Sequence, residues 1–249
     1  MTTPTPNSQL PTPNKPRHVG IIMDGNRRWA RREGLPKELG HKKGVDNLEK
    51  NLDFLLKKNI PFVSVYALST ENMKREKKEL ENLFSHIGRF AKKWRKLVEK
   101  DIRVRLFGKT WELPEKTFKQ LETLEEETKS CQKMQLGIAI NYGGKDEIIR
   151  SLKKIISKKK SDLSASDFLR NISDNLSEEE ISQNLDLPFF PDLDLIIRTG
   201  GRSRISNFLL WRSAYAELYF TEKMWPEFGM KDLEKALLFF GGTGRNFGS

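Results

Sequence analysis

The sequence of 249 residues holds a single cysteine, Cys131. That excludes an internal disulfide framework and any cysteine zinc cluster, and it favours a reducing compartment. No stretch approaches the ~20 apolar residues that a bilayer span requires. The N-terminus lacks the apolar core of a secretory signal. The three histidines, His18, His41 and His86, show no metal-ligand spacing. Positive charge, by contrast, is abundant: the formal net charge is +11 and the pI is near 9.6. Such a balance invites nucleic acid, an acidic membrane or a phosphorylated substrate as partner. A single-stranded nucleic-acid surface needs aromatics interleaved with a basic stripe. Here the aromatics fall mostly in apolar runs, so no nucleic-acid partner is expected. Runs such as Lys92-Lys93 and Lys158-Lys159-Lys160 lie in helical stretches and read as solvated faces.

Residues Met1–Pro16, rich in Pro, Thr and Asn, are expected to form a disordered tail, with one domain over residues 17–249. Apolar runs over Val19–Met23, Phe62–Leu68, Ile102–Phe107, Leu136–Ile140 and Leu193–Ile197 predict strands covered on both faces. Between them lie helical patterns. One runs over Glu79–Glu99, where Leu80, Leu83, Phe84, Ile87, Phe90, Trp94 and Leu97 repeat at helical spacing. A second opens at Pro114 and runs to about Lys129, and a third covers about Lys145–Lys159. The polar stretch Ser161–Asn184 predicts an irregular or helical insertion. Strand–helix alternation predicts an α/β fold with a mainly parallel central sheet covered by helices.

In such a sheet, ligands bind beyond the carboxyl ends of the strands. Four unusual tips follow that rule. The first, Met23-Asp24-Gly25-Asn26-Arg27-Arg28-Trp29, empties an apolar run into a carboxylate, a glycine and two arginines. Arg27 and Arg28 can fork onto phosphate oxygens, and Asp24 fits beside phosphate if a hard cation such as Mg²⁺ bridges the two. A helix-capping aspartate with solvated arginines fits the same residues. The second tip is Ser69-Thr70-Glu71-Asn72-Met73-Lys74-Arg75, which reads most simply as a capped helix start, although its hydroxyls could donate to phosphate. The third is Asn141-Tyr142-Gly143-Gly144. The fourth, Arg198-Thr199-Gly200-Gly201-Arg202-Ser203-Arg204-Ile205-Ser206, reads as a second phosphate cradle. Glu217, an acid in the apolar run Ala214–Phe220, needs a partner: an arginine or a metal would serve, and the residues alone favour the arginine.

Taken together, the blocks His18–His41, Ser69–Arg75 and Arg198–Glu217, with Trp225-Pro226 beyond, resemble the cis-prenyltransferases, and within them the bacterial undecaprenyl diphosphate synthases. The resemblance implies a Mg²⁺-dependent transferase. It would condense an allylic diphosphate, farnesyl diphosphate above all, with isopentenyl diphosphate into long Z-polyprenyl diphosphates of the C55 class. The product would supply the cell-wall lipid carrier. It implies a cytoplasmic homodimer, loosely associated with membrane for product release, with an apolar product tunnel partly walled by the Leu80–Val98 helix.

Residue by residue, Asp24 matches the aspartate that handles Mg²⁺ and allylic departure, and Gly25, Asn26, Arg27, Arg28 and Trp29 match the loop around that diphosphate. His41 matches a histidine near the same phosphates. In the second block Ser69, Thr70 and Glu71 match, and Asn72 matches the asparagine assigned to removal of the isopentenyl proton. Arg75 matches a phosphate contact. Arg198, Arg204, Ile205 and Ser206 match the isopentenyl diphosphate cradle, and Glu217 matches a Mg²⁺ ligand, against the ion pair. Four positions depart from the pattern. Lys37 replaces arginine, Leu68 phenylalanine, Met73 tryptophan, and Arg202 glutamate. The resemblance also admits a non-catalytic subunit of the same fold, which the presence of Asp24, Asn72 and Glu217 argues against.

Overall fold

The protein is described by a computed structural model covering residues 15–74, 80–81, 83–84, 87, 96–159, 166, 170 and 176–243. The expected tail therefore lies outside the described residues up to position 14, as do Arg75, His86, Phe90, most of Ser161–Asn184 and the last six residues.

Six strands form one parallel sheet: β1 (His18–Ile22), β2 (Phe62–Ser69), β3 (Ile102–Phe107), β4 (Met134–Tyr142), β5 (Leu195–Arg198) and β6 (Glu217–Phe220). Their spatial order is β3-β4-β2-β1-β5-β6. The five expected strands are all present with boundaries moved by a few residues. The sixth, β6, was not expected: its four residues Glu-Leu-Tyr-Phe are too few, and too mixed, to give a strand pattern without a partner. The sheet recruits them through pairing with β5, from Leu195↔Glu217 to Arg198↔Phe220.

The helices are α1 (Asn26–Arg32), α2 (Lys37–Lys57), α3 (Lys96–Glu99), α4 (Glu115–Glu127), α5 (Gly144–Lys159), α6 (Glu178–Asn184) and α7 (Met230–Gly241). Short 3₁₀ turns add Thr70–Lys74 and Trp225–Glu227. Within the pattern expected over Glu79–Glu99, residues 80, 81, 83, 84, 87 and 96–99 are described, and all are helical. Pro114 stands at the N-cap of α4, one place before the position expected of it.

Alternation along the strands builds two cores. Ile21, Val63, Val65, Ile138, Ile140 and Ile197 face one side of the sheet, with α2, α4 and α7. Ile22, Tyr66, Ala139 and Ile196 face the other, with Phe190 and Phe208. This is the two-residue period of a strand buried on both faces. On the first side the apolar layer is incompletely filled. A cavity of about 940 Å³ lies between the sheet and the helices, lined by Leu48, Val65, Leu83, Ile87, Leu121, Leu124, Ile138 and Ile140.

From β1 the chain proceeds toward β2 on one side, and from β5 toward β6 on the other. The carboxyl ends of β1 and β5 therefore flank a topological switch point, where open α/β sheets leave a crevice.

Candidate active site

Register brings the first and fourth tips together. Ile22 pairs with Arg198 across β1 and β5, so Asp24 and the Arg198 side chain meet just beyond the sheet edge. The Asp24 carboxylate accepts from Arg28 Nη2 at 3.0 Å through Oδ1 and from Arg198 Nη2 at 2.9 Å through Oδ2. Its backbone carbonyl accepts from Thr199 Oγ1 at 2.7 Å and from the Trp225 N–H at 3.0 Å. The capping alternative does not hold. The N-cap of α1 is Gly25, which has no side-chain cap and takes φ +108°. That left-handed conformation, with Met224 Cβ only 2.9 Å from where a Cβ would stand, explains the glycine. Asp24 is thus freed to face the arginines.

Burial alone would push the Asp24 carboxyl up. Hydrogen bonds and charge from Arg198 and Arg28 outweigh burial and hold it below the usual carboxylate range. Arg198 is nearly buried; its Nη1 donates to Ser206 Oγ at 2.6 Å and to the Arg204 carbonyl at 2.5 Å. Two buried polar atoms here, Arg198 Nε and Asn26 Oδ1, have no hydrogen-bond partner among the described residues. Unsatisfied buried groups are costly and call for a ligand or solvent. Arg27, Arg28 and Arg31 recur at helical spacing on α1 and border the cavity mouth.

The second and third tips meet through β2 and β4. Ser69 pairs with Tyr142, after register shifts between Tyr66 and Ser69 that turn the end of β2. Ser69 Oγ accepts from the Asn72 N–H at 3.3 Å, so the capping reading of Ser69 is satisfied while Ser69, Glu71 and Asn72 all line the cavity. Burial pushes the Glu71 carboxyl up, but bonds from its own N–H, Ser69, Asn207 and Thr70 hold it below its ordinary value.

The cavity therefore gathers Asp24, Gly25, Asn26, Arg27, Arg28, His41, Ser69, Glu71, Asn72, Arg198 and Ser206. Trp29, Lys37, Thr70, Met73, Arg204 and Ile205 do not line it. Of these, Met73 packs against the first core and Ile205 against the second, and Arg204 joins through its carbonyl. Glu217 stands apart. It opens β6 beside Leu195, whereas Asp24 lies beyond Arg198; three residues of strand separate the two levels, about 10 Å. Within one chain the metal-ligand pairing of Asp24 with Glu217 is not assembled, because a strand start and a strand end lie at opposite sheet edges. No cluster of three or more potential ligands of the His/Cys/Asp/Glu type occurs among the described residues. The residues sequence reasoning missed include Arg31, Tyr66, Lys145, Asn207 and Trp225. Arg31 was findable from helical spacing after Arg27 and Arg28; the others depend on distant contacts.

The site is a half-buried anion between arginines at the mouth of an apolar cavity, and the chain that carries it is similar in sequence and fold to known proteins. Residues 22–248 match the family model described as "Putative undecaprenyl diphosphate synthase". An isoprenyl transferase of Fusobacterium nucleatum is 41% identical over 94% of this chain and 96% of its own length. A farnesyl-diphosphate-specific ditrans,polycis-undecaprenyl-diphosphate synthase of Vibrio vulnificus is 39% identical over 97% and 94%. The crystal structure of lavandulyl diphosphate synthase from Lavandula x intermedia, in complex with dimethylallyl diphosphate, superposes with a TM-score of 0.88 at 32% identity, covering 96% of this chain and all of that one. Agreement over nearly the full length, with relatives that transfer prenyl groups, identifies an enzyme of the same kind: the chain belongs to the cis-prenyltransferase family of isoprenyl transferases and undecaprenyl diphosphate synthases.

Proposed function

We propose that the protein condenses isopentenyl diphosphate with an allylic diphosphate, with farnesyl diphosphate as primer, and that the product is a long Z-polyprenyl diphosphate of the C55 class serving as cell-wall lipid carrier. The observation that carries this reading is Asp24, clamped by Arg28 and Arg198 where a cavity of about 940 Å³ with an apolar interior opens. A charged diphosphate belongs at such a mouth, and a growing hydrocarbon belongs inside. The relative from Vibrio vulnificus is named for farnesyl diphosphate, and the lavandulyl structure holds an allylic diphosphate, which supports the primer class.

In the reaction the allylic carbon–oxygen bond breaks, the isopentenyl double bond supplies the electrons of the new carbon–carbon bond, and a proton leaves. Negative charge grows on the departing diphosphate, so fixed cations aimed at it lower the barrier. In this reading Arg27, Arg28 and Arg31, which border the cavity with His41, would hold the allylic diphosphate. By the same reading Arg198 and Ser206 would hold the isopentenyl diphosphate, and Asn72 would orient the proton that leaves. Asp24 suits Mg²⁺: it is a hard oxygen donor kept ionised at the mouth, and this ion commonly takes one or two carboxylates with substrate phosphates. When bound, Mg²⁺ would supply Lewis-acid neutralisation of the leaving charge. Glu217 of the same chain does not join it.

A homodimer is part of this reading, with β6 as a sheet edge and Tyr215, Leu218 and Leu238 exposed around it. A cytoplasmic enzyme delivering its product to a membrane surface fits the chemistry, and no described helix is long and apolar enough to cross a membrane.

Purified protein incubated with radiolabelled isopentenyl diphosphate and farnesyl diphosphate should form long products with Mg²⁺ and none in excess EDTA. Full incorporation in chelator overturns the metal assignment; no incorporation with any allylic primer overturns the reaction.

A further inference from the structure

We propose that Asn207 is a positioning residue that fixes the isopentenyl diphosphate cradle against the tip that handles the isopentenyl proton. Asn207 touches three of the four tips. Its Nδ2 donates to Glu71 Oε1 at 3.1 Å, at the end of β2. Its Oδ1 accepts from the Lys145 N–H at 2.9 Å, and its carbonyl accepts from the Gly144 N–H at 2.7 Å, both at the start of α5. Through the chain it adjoins Ser206, which receives Arg198. A continuous path thus runs from Glu71 through Asn207 and Ser206 to Arg198 and Asp24.

The local backbone is built around this residue. Ser206 and Asn207 take φ +50° and +63°, and Leu209 takes φ +44°. Left-handed backbone is costly for residues other than glycine, and asparagine tolerates it best. Phe208 between them is fully buried and stacks on Tyr66 at 4.7 Å, which holds the turn in place. Gly143 carries the reciprocal mark: a Cβ there would stand 2.7 Å from Asn207 Nδ2 and 2.9 Å from Thr70 Oγ1. Space beside the third tip is thus filled by the Asn207 amide, at the level where Glu71 and Lys145 border the cavity.

An amide offers a donor and an acceptor together, and this bridge uses both. A residue that only capped α5 would use the acceptor alone. The inference rests on the assignment of Ser206 and Asn72 to the isopentenyl side, and its test separates the two claims. Asn207→Gly keeps the left-handed backbone and removes both side-chain bonds. Asn207→Asp keeps the acceptor for Lys145 but sets an acid against Glu71. With farnesyl diphosphate saturating, both variants should raise the KM for isopentenyl diphosphate about tenfold or more. The KM for farnesyl diphosphate should stay within about twofold.

A mere cap predicts the opposite division: Asn207→Gly less stable, Asn207→Asp unaffected, and both KM values unmoved. An unchanged isopentenyl KM in either folded variant, an equal shift for both substrates, or failure of both variants to fold would overturn the positioning role. Wild type that incorporates no isopentenyl diphosphate would instead sink the proposed function, and this inference with it, before any variant is compared.

Discussion

Two clusters of arginines and carboxylates flank the same sheet, and they behave in opposite ways. At the switch point Asp24 sits between Arg28 and Arg198, half-exposed and open to the cavity. On the other face, Glu147 of α5 is almost fully buried. It accepts from the Tyr142 hydroxyl and the Asp186 N–H, while Asp186 is gripped by Arg150 and accepts from the Gly108 N–H at 3.0 Å. Arg212 closes this region with bonds to the carbonyls of Phe190 and Leu187, both at 2.6 Å. Burial, helped by Asp186, pushes Glu147 up, whereas two arginines hold Asp24 down. Among the described residues, no orphaned buried side-chain atom is found in the closed cluster, while two occur in the open one. A saturated network fixes a fold; an unsaturated one bordering a cavity is ready for a ligand.

The sharpest break between the two regions is expected from Asp24→Ala. Turnover should fall by orders of magnitude, about 10³-fold for loss of a principal electrostatic group. The melting temperature should fall only modestly: the carboxylate neither caps α1 nor fills the core, but its loss removes the acid partner of the buried Arg198. A protein that melts early and keeps its turnover would reverse the assignment of open and closed regions.

Glu147→Ala should do the reverse. It strands the Tyr142 hydroxyl and the Asp186 N–H and leaves Asp192, at 3.8 Å, as the acid beside Arg212, so denaturant unfolding should register a loss of about 2–5 kcal/mol. Turnover per folded molecule, measured below the melting transition, should stay within a few-fold. A large loss of turnover in stably folded protein would mean that the closed cluster also serves the chemistry.

Between these extremes lies the cavity wall. Ile87→Trp and Ile138→Trp add bulk from the helical position 87 and from β4 into space that both residues line. Overpacking should stop elongation early while the first condensation survives. Chromatography should show shorter products, because the ring obstructs the cavity ahead of the growing chain. An unchanged product distribution from both folded variants would remove these residues from the lining.

The smallest effect separates the regions by pH. His18 packs against Phe190 in the closed region, with Nε2 2.8 Å from Ser64 Oγ, and burial lowers its pKa to about 4. The unfolded chain takes up this proton near pH 6.5 and the fold resists it until about 4, so stability should fall as pH drops through that window. His18→Gln should flatten the loss, on the order of 1–3 kcal/mol by chemical denaturation. Asp24 acts in a lower window. Its depressed pKa contributes stability present above the unfolded carboxylate pKa and lost as pH falls through the folded one, so Asp24→Asn should flatten only that limb. Coincident windows for the two variants would undo the distinction.

The sequence by itself determined the layered α/β class, because strands buried on both faces and amphipathic helices write their periods into local composition. It also carried the four tips and the family resemblance, since Asp24–Trp29, Ser69–Asn72 and Arg198–Ser206 are contiguous segments. What it could not carry depends on register. Only the pairing of Ile22 with Arg198 and of Ser69 with Tyr142 decides that four separated segments meet. Only the sheet turns Glu217–Phe220 into a strand, and so sets Glu217 at the edge away from Asp24. The Asp24–Arg198 ion pair, the close approach of Met224 to Gly25 and the bridging position of Asn207 join segments tens to more than a hundred residues apart. Such contacts leave no local period, because they follow from how the strands stack rather than from what any one segment prefers.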